Sequence, residues 1–255
     1  MATYKKRGYK PKTKAEKADL LEQESTTAGV FNTLDEGASK TEEWVANNQK
    51  YIFIIVGFAV AIVLGYLGYS KFIQEPKESE AMNDMFKAQQ YFDQAVSGTE
   101  KDSLFILALN GGEGKFGMLD IIEEYSSTNA GNLANYYAGT AYLNLKDYQN
   151  AITYLSNFSG DDLVLGPIAS GGIGDAFLQL NQPEDALGYY VKAAEMQTND
   201  YSTPMYLYKA GNVAMQLGQN DKALQYFKRI KEEFSSATEA TNIDVFIGKA
   251  EAASN

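Results

Sequence analysis

The sequence predicts an all-α protein: a single N-terminal transmembrane helix followed by an α-solenoid of short helix pairs. Three observations carry this expectation. Residues 51–69 form an unbroken, uncharged apolar run. Residues 76–255 read as helices separated by short polar breaks, with no Val/Ile alternation long enough for a sheet. Within them, one pattern returns three times at intervals of 35 and 37 residues.

Composition narrows the chemistry. The 255 residues include no Cys and no His. Disulfides, thiolate metal sites and thiol nucleophiles are excluded, as are Ser-His hydrolases, His-ligated zinc and haem on a proximal His. Enzymes working with carboxylates, Lys or Tyr alone pass this filter. The formal charge of −11 argues against a nucleic-acid partner, which requires a basic surface. Residues 1–50 carry nine Lys/Arg and eight Asp/Glu, leaving 13 basic and 25 acidic residues for the remainder. Lys5, Lys6, Arg7, Lys10, Lys12, Lys14 and Lys17 face only Glu16 in the first 17 residues. The two ends of the chain therefore suit different environments.

In chain order, residues 1–38 read as a mobile basic tail, poor in large apolar side chains, with a short transient helix at 14–24. Anionic lipid or a ribosome would suit its charge. Ser39-Lys40-Thr41-Glu42 fits a capping box, which predicts a helix starting at Ser39. That helix either lies on the membrane surface with Trp44 as its anchor, or extends the membrane helix by three turns. Residues 39–74 thus form the juxtamembrane and membrane segment. As a helix, the 19 residues of 51–69 would span about 28 Å, the thickness of a bilayer's hydrocarbon core. Tyr51 at one end and Tyr66 and Tyr69 at the other suit the headgroup layers. The run lies too far from the N-terminus, is too long, and lacks an A-x-A exit for a cleaved signal peptide. It reads as an uncleaved signal anchor, with the basic tail in the cytoplasm and residues 76–255 on the far side.

The repeats follow. Segments beginning at Asn135, Ser170 and Leu207 superpose, aligning Gly139, Gly174 and Gly211, then Ala151, Ala186 and Ala223, then Leu155, Tyr190 and Phe227. Each Gly would let the helices of one repeat approach closely, with the Ala serving the next contact and Tyr142 and Tyr148 filling the gap. Residues 78–96 form a leading helix with Met82, Met85, Phe86, Ala88, Phe92 and Ala95 on one stripe. A second helix at 116–125 follows the glycine-rich connection 110–117, and a terminal helix at 238–253 covers the last apolar face. The period, the small residue in the first helix and the Ala in the second resemble the tetratricopeptide repeat. Departures are Asn135, Ser170 and Leu207 where that pattern prefers Trp, and the absence of a closing Pro.

Other motifs carry less. Residues 110–115 lack the glycine spacing and the Ser/Thr of a phosphate loop, and the glycines of 163–174 are explained by the repeat register. Glu123-Glu124, Asp161-Asp162 and Glu232-Glu233 are sequence neighbours and point apart on a helix. The inner face is predicted from Leu133, Tyr136, Thr140, Ile168, Asp175, Met205, Tyr208 and Asn212. That groove is aromatic, polar and nearly uncharged, suited to extended or partly unfolded polypeptide. The partner-binding candidates within it are Tyr136, Thr140, Asp175, Met205, Tyr208 and Asn212. No catalytic, metal or cofactor site is assigned. An enzyme would instead require an Asp/Glu pair converging across two repeats at about 5–9 Å.

The organisation from Ser39 onward resembles the YfgM-like family of ancillary subunits of the bacterial Sec translocon. The residues carrying the resemblance are TEEWVANNQK at 41–50, the anchor, and GMLDIIEEYSSTNAGNLANYYAGTAYLNLKDYQNAI at 117–152. The resemblance implies a non-enzymatic scaffold or chaperone in the inner membrane with a periplasmic repeat domain. It also implies contact with the Sec channel through the anchor and with a membrane-anchored periplasmic chaperone through the repeats, with emerging polypeptides as clients. An adaptor for another envelope machine, in outer-membrane assembly, secretion or cell-wall synthesis, is the alternative.

Overall fold

The computed structural model describes residues 13–18, 26–98, 101–160 and 163–254; the basic cluster at 5–12 and the Asp161-Asp162 pair lie outside them. The chain divides into two units, Met1–Tyr69 and Ser70–Asn255. In the first, residues 14–18 form a single helical turn, while the rest of the helix expected at 14–24 falls outside the described residues. The principal element is α1, Thr26–Tyr69. Ser39 is therefore interior to a helix and not its N-cap. No Pro interrupts 26–69, and extending a helix costs less than nucleating another. The stretch with Trp44 extends the apolar helix, and the separate surface helix is not seen. Trp44, Tyr51, Tyr66 and Tyr69 are exposed, and the apolar window of α1 is long enough to cross a membrane with no part of it buried.

The second unit opens with a π-helical turn, Ser70–Gln74, followed by α2, Glu75–Ser97, with Pro76 in its first turn. Pro is tolerated there because the first N–H groups of a helix have no intrahelical partner. The buried stripe of α2 is Ala81, Met85, Ala88, Tyr91, Phe92 and Ala95. Met82 and Phe86, expected on that stripe, are exposed. Ala81 and Tyr91 take the inner positions in their place, while Met85, Ala88, Phe92 and Ala95 face inward as expected.

Helix α3, Lys101–Asn110, was not anticipated. Its FILAL run is apolar on several sides and shows no helical period, because it packs against α2, α5 and α4 together. The connection to α4, Met118–Glu124, is a tight turn with Gly111 and Gly114 at positive φ and an antiparallel bridge between Gly112 and Lys115. The helix expected from 116 thus starts two residues later.

Three helix pairs follow: α5 Asn129–Asn144 with α6 Tyr148–Asn157, α7 Leu165–Gln179 with α8 Pro183–Met196, and α9 Ser202–Gln216 with α10 Asn220–Glu233. All three pairs turn in the same way. Lys146, Asn181 and Gly218 sit at equivalent positions with φ of 64°, 59° and 70°. The next residue donates six-to-one to a helix carbonyl each time: Asp147 to Tyr142, Gln182 to Phe177 and Gln219 to Ala214, at 2.9, 2.9 and 2.8 Å. These are three copies of the Schellman motif, which satisfies the last carbonyls of a helix while reversing the chain. Positive φ favours Gly, yet only the third repeat uses it.

Packing between paired helices centres on the predicted glycines. A methyl group on Gly139 would lie 2.6 Å from Leu155 Cγ and 2.8 Å from its backbone N; on Gly174, 2.8 Å from the Tyr190 ring; on Gly211, 2.4 Å from the Phe227 ring. The aligned glycine thus meets the aligned large residue in every repeat. Tyr142 stacks on Tyr154 at 5.3 Å between centroids, so Tyr154 takes the place expected of Tyr148. Each helix packs on its sequence neighbours, and α5, α7 and α9 pack on one another in turn. The expected terminal helix at 238–253 is divided: a 3-10 turn, Thr238–Ala240, precedes α11, Ile243–Ser254. Asn242, at φ 64°, breaks it. Ile243, Ile247 and Ala250 of α11 close the last apolar cluster.

Helix α2 is joined to the first pair by polar contacts. Glu78 accepts the backbone N–H groups of Asn129 and Ala130 at 2.7 and 2.9 Å, an anion on the positive end of α5. Buried Tyr125 donates to Asp84 at 2.7 Å. That hydrogen bond, with burial, pushes the phenol up to about 12. Its folded pKa exceeds the ordinary value near 10, so the stability it confers is complete below about pH 10 and disappears as pH rises to about 12. Tyr125→Phe should flatten that alkaline loss in a pH series of denaturant midpoints.

Candidate partner-binding groove

The first helices of the three pairs, α5, α7 and α9, supply the predicted groove residues. Thr140, Asp175 and Asn212 each directly follow the close-approach glycine of their repeat, and Tyr136 and Tyr208 each precede it by three positions. Equivalent positions on packed, similarly oriented helices fall on one face. All six candidates are half-buried. Tyr136 packs on Tyr137 and Phe158, with centroids 5.8 and 5.5 Å away. Tyr208 is held between Phe227 at 6.2 Å and Phe246 of α11 at 5.0 Å, so the capping helix forms the floor of that end. Met205 joins the same apolar cluster. Asn212 donates to the Tyr208 carbonyl at 2.9 Å, and Asn144 donates to the Thr140 carbonyl at 2.9 Å.

The structure brings Asp175 together with a residue the sequence reading passed over. Lys209 Nζ lies 2.7 and 2.8 Å from the two carboxylate oxygens of Asp175, and Tyr190 donates its hydroxyl to Oδ1 at 2.7 Å. The ammonium also lies over the rings of Tyr190 and Tyr206, 5.5 and 5.7 Å from their centroids, where the ring faces attract a cation. The face expected to be nearly uncharged therefore carries an ion pair. The acid there is answered by an ammonium, where a carboxylate dyad would need a second acid. Burial foremost, then the Asp175 hydrogen bond and charge, hold the Tyr190 hydroxyl far above the usual phenol range. Burial, then Asp175, does the same for Tyr206. Both rings remain neutral at physiological pH, so Tyr190 is a permanent donor that orients the carboxylate. The two charged side chains are about one-third exposed, so the pair contributes little stability; what it provides is a fixed polar point between apolar contacts. The available signal was spacing: Asp175 and Lys209 are 34 residues apart, almost one repeat, which places them on consecutive inner helices.

The glycine content of α7 is unusual for a helix. Helix α7 carries Gly166, Gly171, Gly172 and Gly174 within 15 residues, each less favourable in a helix than Ala by about 1 kcal/mol. A methyl on Gly171 would overlap the Tyr206 ring, 1.9 Å away. Tertiary packing and not intrinsic propensity holds this helix, and it seats Tyr206 beside Lys209.

Comparison with known families agrees with this geometry. Two models of the tetratricopeptide repeat match, one over residues 133–159 and the other over residues 172–238. The chain carries tetratricopeptide repeats. The first match falls on the α5–α6 pair and the second on α7–α10, the segments that share the Schellman turns and the glycine contacts. No curated protein and no solved structure matches the chain. Tetratricopeptide repeats mark a protein–protein interaction scaffold, and proteins built from them are generally adaptors without enzymatic activity.

Proposed function

We propose that this protein is a single-pass membrane scaffold of the bacterial envelope that holds extended polypeptide in its repeat groove beside the Sec translocon. The observation that carries this reading is the composition of the face shared by α5, α7 and α9. Aromatic and thioether surfaces at Tyr136, Met205 and Tyr208 alternate with polar points at Thr140, Asp175–Lys209 and Asn212. Such a face offers apolar contact to side chains and hydrogen bonds to a main chain that has not yet folded. The apolar α1 supports the anchor, with Trp44, Tyr51, Tyr66 and Tyr69 at its two interfaces. The basic tail supports a cytoplasmic N-terminus and a periplasmic repeat domain. Likeness to the YfgM-like family in 41–50 and 117–152 supports the Sec channel and a membrane-anchored periplasmic chaperone as partners.

The test is purification of the tagged full-length protein in mild detergent, with mass spectrometry of what accompanies it. Recovery of Sec channel subunits, lost when 51–69 is exchanged for an unrelated span, is the expected result. Recovery of a different envelope machine without the channel would replace the translocon assignment. The groove is tested separately: Tyr136→Ala with Asn212→Ala should weaken crosslinking to an unfolded client polypeptide about tenfold, as loss of one anchoring aromatic and one hydrogen bond implies. Unchanged crosslinking would move the client site elsewhere.

A further inference from the structure

The loops that lead into α5, α7 and α9 form one continuous edge of the second unit, tied in series by side chains. Gln74 donates to the Ser127 carbonyl at 3.0 Å, and Glu78 holds the start of α5. Asn132 exchanges two hydrogen bonds with Ser159, at 2.7 and 2.9 Å. Asn199 donates to the Leu163 carbonyl at 3.0 Å and accepts from the backbone N–H groups of Tyr201 and Ser202 at 2.9 and 2.7 Å. The chain also enters the unit at this edge, because residues 70–78, immediately after the apolar run, are built into it.

Large apolar side chains stand exposed along the same edge: Leu163 at 58 %, Val164 at 43 % and Tyr201 at 64 %. Their positions are as telling as their exposure. Val164 and Tyr201 occupy the N-cap positions of α7 and α9, and neither side chain makes a capping hydrogen bond. At the equivalent place before α5, Thr128 accepts from Gly131 N in the usual manner. The first N–H groups of α9 are instead accepted by Asn199 Oδ1, so no capping hydrogen bond of its own fixes Tyr201 at that helix start.

We propose that this edge rests on the bilayer, with Leu163, Val164 and Tyr201 at the boundary between headgroups and acyl chains. The proposal rests on reading 51–69 as a membrane span. Lipid is the occupant because of chain length: only the nine helical residues from Ser70 to Glu78, roughly 14 Å of chain, separate the apolar run from this edge. A tyrosine ring with a polar tip suits that depth, and apolar side chains at a helix end bury there as an interfacial anchor does.

The absence of native Cys makes the test direct. Leu163→Cys, Tyr201→Cys, Leu180→Cys and Ala61→Cys are made singly in the full-length chain, labelled with a small thiol-reactive fluorophore and reconstituted into phosphatidylcholine vesicles. Some vesicles carry lipid brominated near the headgroup, others lipid brominated deep in the acyl chain. Leu180 is the control: it is exposed at the opposite end of α7. Shallow bromine should quench the probes at 163 and 201 several-fold more than at 180, while deep bromine quenches the probe at 61. Equal quenching at 163, 201 and 180, with 61 quenched, overturns the proposal and leaves the span intact. An unquenched probe at 61 removes the span and the proposal with it. The three substituted positions in the repeat unit are exposed, and unchanged circular dichroism confirms that each variant is folded.

Discussion

Gly139→Val should lower the melting temperature of the repeat unit by about 6–12 °C, from a loss of about 3 kcal/mol at about 2–4 °C per kcal/mol for a unit of this size. The cost is at the upper end of overpacking because the obstruction is partly backbone. A single methyl at position 139 already lies 2.8 Å from the backbone N of Leu155 and 2.6 Å from its Cγ, so α5 and α6 must separate to admit it. Gly188→Ala is the contrasting case. Gly188 is interior to α8 with nothing within 4 Å of the added carbon, and there the more restricted unfolded chain should stabilise the protein by about 0.5–1 kcal/mol. At Gly211 the obstruction is the Phe227 ring, a side chain that can be exchanged. Gly211→Ala combined with Phe227→Leu should therefore cost less than the sum of the single changes, as measured by thermal denaturation of the full chain in detergent. Strict additivity would mean that the glycine does not answer to the ring.

The second large effect concerns the membrane. Val60→Asp together with Val63→Asp should release the protein from membranes under alkaline carbonate extraction, whereas the unaltered chain stays in the pellet. Eleven of the 19 residues in 51–69 are Ile, Leu, Val or Phe, together favouring insertion by about 5 kcal/mol. Each Asp at the centre opposes it by about 2.5–3.5 kcal/mol. Two of them, on adjacent positions of one helical turn, cancel the whole driving force. A double variant that remains in the pellet would show that another segment holds the protein on the membrane.

Both expectations start from patterns that are local in the sequence. The apolar run needs no tertiary structure, since length and hydropathy alone set whether a helix can span a bilayer. The glycine register is also local in origin: Gly139, Gly174 and Gly211 recur with Ala151, Ala186 and Ala223 because each repeat solves the same close-packing problem. Elements without a clear period were misread or missed. Helix α3 is apolar on several sides, the capping pattern at Ser39 is local whereas the helix that runs through it is not, and Asn242 breaks the last helix through a backbone conformation that its residue type permits without requiring. The shared turns at Lys146, Asn181 and Gly218 escaped for the same reason, since three different residues adopt one positive-φ conformation.

By itself, then, the sequence determined the class, the helix apolar enough to cross a membrane and the number of repeats, each of which depends on periodicity and apolar content within a few tens of residues. Only the tertiary structure decided what faces what. Lys209 sits on Asp175, Glu78 holds the first N–H groups of α5, and Leu163, Val164 and Tyr201 share the edge where the chain enters the repeat unit. The reason is physical: an ion pair, a helix cap or an exposed edge is a relation between segments 34 to 52 residues apart, and relations at that distance exist only once the solenoid has stacked.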